Sequence, residues 1–369
     1  MIYLDNGATS FHKPPQVYRA VADAMRTCAN PGRGGYREAM TATRKLFGCR
    51  EQAAQLFSCS PEQVVLTNNC THGLNIAIRS LVKPGGRVVI SGFEHNAVTR
   101  PLHALKAQIT AAGRDLFDWE DTLEAFEAAL KKGADAAVFT HVSNVFGYIL
   151  PVDQMAKLCR QYQIPFILDA AQSAGTLPLS MEQLGADFIA MPGHKGLLGP
   201  QGTGLLLCSA EGQPLLQGGT GSESRQQEMP DYLPDRLEPG TLNVPGFAGL
   251  REGLRYLNRV GTDAVYRREH DQLQRCIHGL KELGMKVFSG PHQAATVSFL
   301  PGMDCEEAAQ FFADHGIALR AGLHCAPLAH ESAGTVESGT LRVSYGVHAS
   351  QRQTSAFLRG ASKLPRFLP

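Results

Sequence analysis

The sequence predicts an α/β fold, a mostly parallel sheet covered by helices on both faces, with a smaller α/β domain after it. Three observations predict it. Short apolar runs recur at Val64-Val65-Leu66, Val88-Val89-Ile90, Ala136-Ala137-Val138-Phe139, Phe166-Ile167-Leu168, Phe188-Ile189-Ala190 and Leu205-Leu206-Leu207. Helix-like stretches separate several of them, and strands apolar on both faces with helices between belong to a sheet covered on both sides. Polar residues then follow the strands: Thr71, His95, Asn144, Asp169 and Lys195. Sheets of this kind gather their ligands at the carboxyl ends of the strands.

Taken in order, Met1 to Asn6 lacks the basic and apolar regions of a signal peptide, so none is expected there. Residues 1–14 are too few to fold alone and should pack beside a domain. Helices are predicted from Leu74 to Leu81, Thr122 to Leu130 and Asp153 to Tyr162. Beyond residue 215 the texture changes. Gln217 to Gly221 is glycine-rich, and Glu223 to Pro239 is polar and broken by prolines. Val244 to Arg259 then reads as a long helix, continued by Thr262 to Leu283, with strands at Ala295 to Leu300 and Thr340 to Ser344. The expected division is a large domain over 15–250 and a small one over 251–369 that takes in 1–14.

Composition narrows the function. A chain of 369 residues exceeds one compact core. A net charge of +1 without long runs of one sign leaves no footprint for nucleic acid or an acidic membrane. No run approaches the roughly 18 apolar residues of a membrane span. Nine cysteines without CxxC or Cys/His ligand spacing read as reduced thiols in a cytoplasm rather than disulfides or a metal site.

The most informative stretch is Met191-Pro192-Gly193-His194-Lys195-Gly196, with Asp169 lying 26 residues upstream of the lysine. A lysine in a glycine-rich loop is a candidate Schiff-base former. An aspartate at the end of a buried strand is a candidate partner for a protonated pyridine nitrogen. Together they are the two anchors that pyridoxal 5′-phosphate (PLP) requires. Asp169 could instead cap a helix beginning at Ala170. Lys195 needs a lowered pKa to work as a neutral amine.

Several further segments carry a family resemblance: Tyr3-Leu4-Asp5-Asn6-Gly7-Ala8-Thr9, Glu94-His95-Asn96-Ala97, His141-Val142-Ser143-Asn144, Asp169-Ala170-Ala171-Gln172, Gly193-His194-Lys195, Arg320-Ala321-Gly322-Leu323-His324-Cys325-Ala326 and Arg342-Val343-Ser344. In this order they resemble the class V, fold-type I PLP enzymes, and within them the cysteine desulfurase and selenocysteine lyase group. The resemblance implies a seven-stranded large-domain sheet and a PLP site in which His95 stacks on the ring. Gln172 would sit near the ring's phenolic oxygen, and Thr71, beside Cys70, would bind phosphate. His194 and Thr241, the latter from a second subunit, would add phosphate contacts, which implies a homodimer. Taken alone, His95 reads as a structural loop histidine and Thr71 as a helix N-cap.

Arg342 lies in a predicted strand, where an inward guanidinium needs an anion. A substrate α-carboxylate fits, with Asn144 and Arg320 beside it, and so does a structural salt bridge. Cys325 stands in a loop with Arg320 and His324, an electropositive setting suited to a reactive thiolate. The match to the short-loop subgroup implies that L-cysteine becomes L-alanine while Cys325 holds the sulfur as a persulfide for an acceptor protein. Leu323 departs from the family's usual histidine, and Pro327 to Ser338 is distinctive. L-Selenocysteine is the alternative substrate, and transamination with an incidental Cys325 the alternative reaction. A nucleotide-binding module is disfavoured because Gly193-His194-Lys195-Gly196 lacks Walker spacing.

Overall fold

A computed structural model describes residues 1–32 and 34–365. The expected small domain therefore ends in four residues, 366–369, outside the described ones. Among the described residues the large sheet has seven strands, in the order Val64–Thr67, Gly204–Cys208, Phe188–Pro192, Phe166–Asp169, Ala136–Thr140, Arg87–Ser91 and Gln108–Ala112. Gly204–Cys208 pairs antiparallel with both neighbours, and the other pairs are parallel.

Alternation along these strands sorts the core. Leu66, Val89, Phe139, Leu168 and Ile189 pack on one face with helices Arg37–Phe57, Trp119–Leu130, Val152–Gln161 and Val244–Val260. Val65, Val88, Val138, Ile167 and Phe188 pack on the other with helices Cys70–Leu81 and Asn96–Ala104. Side chains of a strand alternate between faces, so two covered faces demand apolar residues at every position. That demand produced the six runs visible in the sequence.

The seventh strand, Gln108–Ala112, escaped that criterion. It pairs only with Arg87–Ser91, and Gln108, Ile109 and Thr110 are exposed, so nothing there requires an apolar run.

A four-stranded antiparallel sheet, Arg320–Gly322, Thr340–Ser344, Thr296–Leu300 and Lys286–Phe288, builds the second layer. Its cluster takes Leu273 and Leu280 from helix Thr262–Glu282 and Phe312 and Phe357 from helices Cys305–Asp314 and Gln351–Ala361. Gly261, at φ +82°, breaks the expected long helix in two. The N-terminal segment reaches both parts. Ile2–Tyr3 pairs with Ile317–Ala318, Asp5 bridges to Ser344, and Thr9 and Ser10 donate to the His194 carbonyl at 3.1 and 3.0 Å.

No helix of the described residues is long and apolar enough to cross a membrane. All nine cysteines are free, and Cys325 alone of them is exposed.

Candidate active site

The polar residues after the strands converge. Thr71, Cys70, His95, Asn144, Asp169, Gln172, His194 and Lys195 all line one pocket of about 520 Å³ at the carboxyl edge of the large sheet.

Lys195 sits in the turn after Phe188–Pro192. A Cβ on Gly193 would meet Thr203 Oγ1 at 2.1 Å, and one on Gly196 would meet the Ala174 carbonyl at 2.3 Å. The flanking glycines are therefore needed because the turn is pressed against neighbouring chain. Lys195 Nζ has no hydrogen-bond partner among the described residues. Burial lowers its pKa from the usual lysine range, against the opposing pull of Asp169 and Cys70.

Asp169 ends its strand and is 2% exposed. Its Oδ1 accepts from the Ala171 N–H at 2.8 Å and from the Cys70 thiol at 3.4 Å. No helix starts at Ala170, so the alternative of a helix cap falls away, although the aspartate does hold the turn. Oδ2 has no partner among the described residues. The Cys70 thiol, its pKa raised well above the usual value by burial and then by Asp169, remains a neutral donor to the carboxylate.

His95 caps helix Asn96–Ala104, its Nδ1 accepting from the Ala97 N–H at 3.0 Å. That bond leaves the ring proton on Nε2. Burial lowers its pKa, while Asp169 raises it. His95 is thus both structural and pocket-lining. The cap of helix Cys70–Leu81 is Asn69, which accepts from His72 N at 2.9 Å, so the Thr71 hydroxyl is not consumed as a cap. His194 is neutral, its pKa pushed down to about 4 by burial, and its Nδ1 pairs with Thr9 Oγ1 at 3.1 Å. Gln172 donates to the Gly7 carbonyl at 3.0 Å.

Glu94, which sequence reasoning passed over beside His95, is fully buried with its pKa pushed up to about 8 by that burial. Its Oε1 accepts from Ser91 Oγ at 2.5 Å and Thr140 N at 2.9 Å, clamping two strand ends together.

Arg342 finds its anion within the chain. Its Nη2 donates to Asp5 Oδ1 at 2.8 Å and its Nη1 to the Asn144 carbonyl at 2.9 Å, leaving Nε buried and unpaired. Arg320 grips the same Asp5, through Nη2 at 2.9 Å and Nε at 3.1 Å. The structural salt bridge weighed for Arg342 is present, and Asp5 is the partner the sequence did not reveal.

The setting of Cys325 corrects one expectation. His324 is buried, its pKa pushed down to about 2 by burial and by Arg342, and its Nε2 faces the Thr340 carbonyl at 3.2 Å. It is neutral and adds no positive charge to the loop, whose cation is Arg320, which shares Asp5 with Arg342. Geometry further distinguishes the loop. His324 and Cys325 adopt left-handed φ of 50° and 57°, the Cys325 carbonyl accepts from Asn96 N at 2.8 Å, and the His324 carbonyl accepts from Asn144 Nδ2 at 2.8 Å. The loop is thus fastened to a residue on the pocket wall and to the neighbour of His95.

Thr241 does not join this set. It lines a separate pocket with Asn30, Phe47, Arg50 and Gly219.

The pocket offers a set suited to PLP: an amine for its aldehyde, the free carboxylate oxygen of Asp169 for its ring nitrogen and the free hydroxyl of Thr71 for its phosphate. Asn144 Oδ1 is buried without a partner, as a site shaped for another group would leave it. The family model of the class-V aminotransferases matches residues 2–357. A probable cysteine desulfurase of Pyrococcus abyssi is 31% identical, the match covering 100% of this chain and 95% of that protein. The chain belongs to the cysteine desulfurase family of class-V aminotransferases. Among solved structures similar to this family member is the apo cysteine desulfurase of Thermococcus onnurineus NA1, with a TM-score of 0.90 and 32% identity over 98% of this chain and 94% of that one. The Escherichia coli cysteine desulfurase CsdA, at 24% identity, shares the fold with a TM-score of 0.85, over 98% of this chain and 94% of that one.

Proposed function

We propose that this protein is a PLP-dependent cysteine desulfurase that converts L-cysteine to L-alanine and retains the sulfur on Cys325. The observation that carries this reading is the exposed Cys325 on a loop tied by hydrogen bonds to Asn96 and to Asn144, which lines the Lys195 pocket.

Lys195, Asp169, Thr71, His95, Gln172, Asn144 and His194 would hold PLP, with Cys70 supporting Asp169. Bound there, the cofactor supplies an electron sink for charge developing at the substrate Cα. The chain's own groups do the rest. Lys195, its pKa lowered, takes and returns the Cα proton. The Asp169 carboxylate would hold a proton on the ring nitrogen. His95, its Nδ1 occupied by the Ala97 N–H, would lie against the ring. Arg342, with Arg320 behind it, binds the substrate carboxylate while still leaning on Asp5; its unpaired Nε is the donor left for that purpose. The Cys325 thiolate forms an S–S bond to the substrate sulfur as the Cβ–S bond breaks. The bonding pair stays on Cβ, which is protonated to the methyl of alanine.

Since Thr241 stands apart from its own chain's pocket, it would serve the phosphate of a second subunit in a homodimer. The exposed thiol in a short loop suits transfer to an acceptor protein, and nine free thiols suit a cytoplasmic location.

The test mixes PLP-loaded protein with L-cysteine and follows alanine and protein-bound sulfane sulfur, beside Cys325→Ala. Alanine with bound sulfur in the wild type alone is expected, and the variant should keep its cofactor. Full desulfuration by Cys325→Ala would refute the nucleophile, and turnover of L-selenocysteine alone would redirect the substrate.

A further inference from the structure

Behind the lysine lies a second cleft, between the N-terminal segment, helix Thr262–Glu282 and residues 345–349. Val142, Ala171, Gln172 and Lys195 line both cavities and form the wall between them.

Glu269 lines this cleft and is only 3% exposed. The other buried residues of its helix are Val265, Leu273, Cys276, Ile277, Gly279 and Leu280, all apolar or small. Its carboxyl has no hydrogen-bond or ion-pair partner among the described residues, and burial pushes its pKa up to about 8 despite neighbouring Arg268. An unpartnered acid in an apolar helix face is costly unless something enters to meet it.

Basic groups stand beside it. Arg268 donates to the Val347 carbonyl at 3.0 Å. His348 is close enough to His12 and Arg268 for both to lower its pKa after burial, and both imidazoles line the cleft. The remaining titratable groups of the lining are committed or distant from this end. Tyr3 bonds the Asp5 and Thr9 carbonyls, Tyr345 bonds Thr354 at 2.9 Å, and Lys195 belongs to the shared wall. A buried acid and basic donors at the open end of one cleft complement a molecule that carries both charges.

We propose that this cleft is a second small-molecule site for a zwitterion of amino-acid size, whose ammonium N–H donates to Glu269 and whose carboxylate accepts from His12 and His348 beside Arg268. No covalent step is involved. Glu269, largely protonated at pH 7, loses its proton when the ammonium arrives.

N,N-Dimethylglycine is the probe, because its nitrogen carries one N–H and cannot condense with an aldehyde. It is titrated calorimetrically into the full chain with its cofactor, at pH 7, in two buffers of different ionisation heat. Saturable binding with release of close to one proton is expected. Glu269→Gln should weaken it at least about tenfold, the scale of one charge-assisted hydrogen bond, and abolish the proton release. His348→Ala, on an exposed side chain, should weaken binding while the release persists, and it decides the matter if Glu269→Gln does not fold. Absence of binding, or binding unchanged by both substitutions, overturns the proposal. The titration reads binding rather than turnover, so its failure leaves the desulfurase reading untouched.

Discussion

Asp5 sets the terms on which Arg342 works. One carboxylate lies between two guanidiniums, so the cluster keeps one net positive charge, the charge that the proposed carboxylate-binding role requires, while holding Arg342 in place. Asp5→Asn would leave the buried Arg342 without an anion and should cost about 3 kcal/mol in urea unfolding, as breaking a buried pair does. Lys195→Ala should lower alanine release by about a thousandfold or more, read in single-turnover mixing, because no other amine lines the pocket. Lys195, Asp169, His95 and Asn144 were legible because each sits in a short segment whose chemistry is local. The partner of Arg342 was not, because the two residues are 337 positions apart and no periodicity connects them. Glu269 was hidden for a related reason: within a helix of many charges, only the packing reveals which one faces inward.

Among the elements, the strand ends hold the pocket. Glu94 ties Arg87–Ser91 to Ala136–Thr140, so Glu94→Ala removes the acceptor of three buried donors and should cost about 2–3 kcal/mol by urea unfolding. Gly175, at φ +86°, lets the chain pass within 2.5 Å of the Gly196 carbonyl, measured from where a Cβ would stand. Gly175→Ala should therefore displace the lysine turn and lower cofactor affinity, followed by absorbance titration. The buried strands could be read from their apolar runs to within a residue or two. The edge strand could not, since exposure removes the signal. Helix starts were read late at two places: Cys70–Leu81 and Trp119–Leu130 begin with polar turns capped by Asn69 and Asp118, before the apolar pattern sets in.

For the molecule as a whole, buried ionisable groups set the pH range of stability. His141, His194 and His330 are pushed down to about 4 and His324 to about 2, all chiefly by burial. Unfolding lets each bind a proton below its free value near 6.5, so their contribution falls as pH drops from about 6.5 toward 4. Glu94 and Glu269, raised to about 8, have the opposite sign. The folded state keeps their protons up to about pH 8 while the unfolded chain loses them near 4.5, so stability declines as pH rises between those values. The four histidines outweigh the two glutamates below 6.5; above it the glutamates' effect remains, opposed as pH nears 8 by Lys13, whose pKa burial lowers to about 8. Urea unfolding between pH 4 and 8 should give greatest stability near pH 6.5. A steady rise to pH 8 would contradict these assignments.

The pairing of Asp5 with Arg342 and Arg320 also bears on how the chain is made. During synthesis Asp5 leaves the ribosome 337 residues ahead of the arginine it must hold. The large sheet can assemble from contacts among neighbouring segments, but the corner that Asp5 and Arg342 form has to wait until strand Thr340–Ser344 has been made. Asp5 thus spends most of synthesis without the buried guanidinium it will hold.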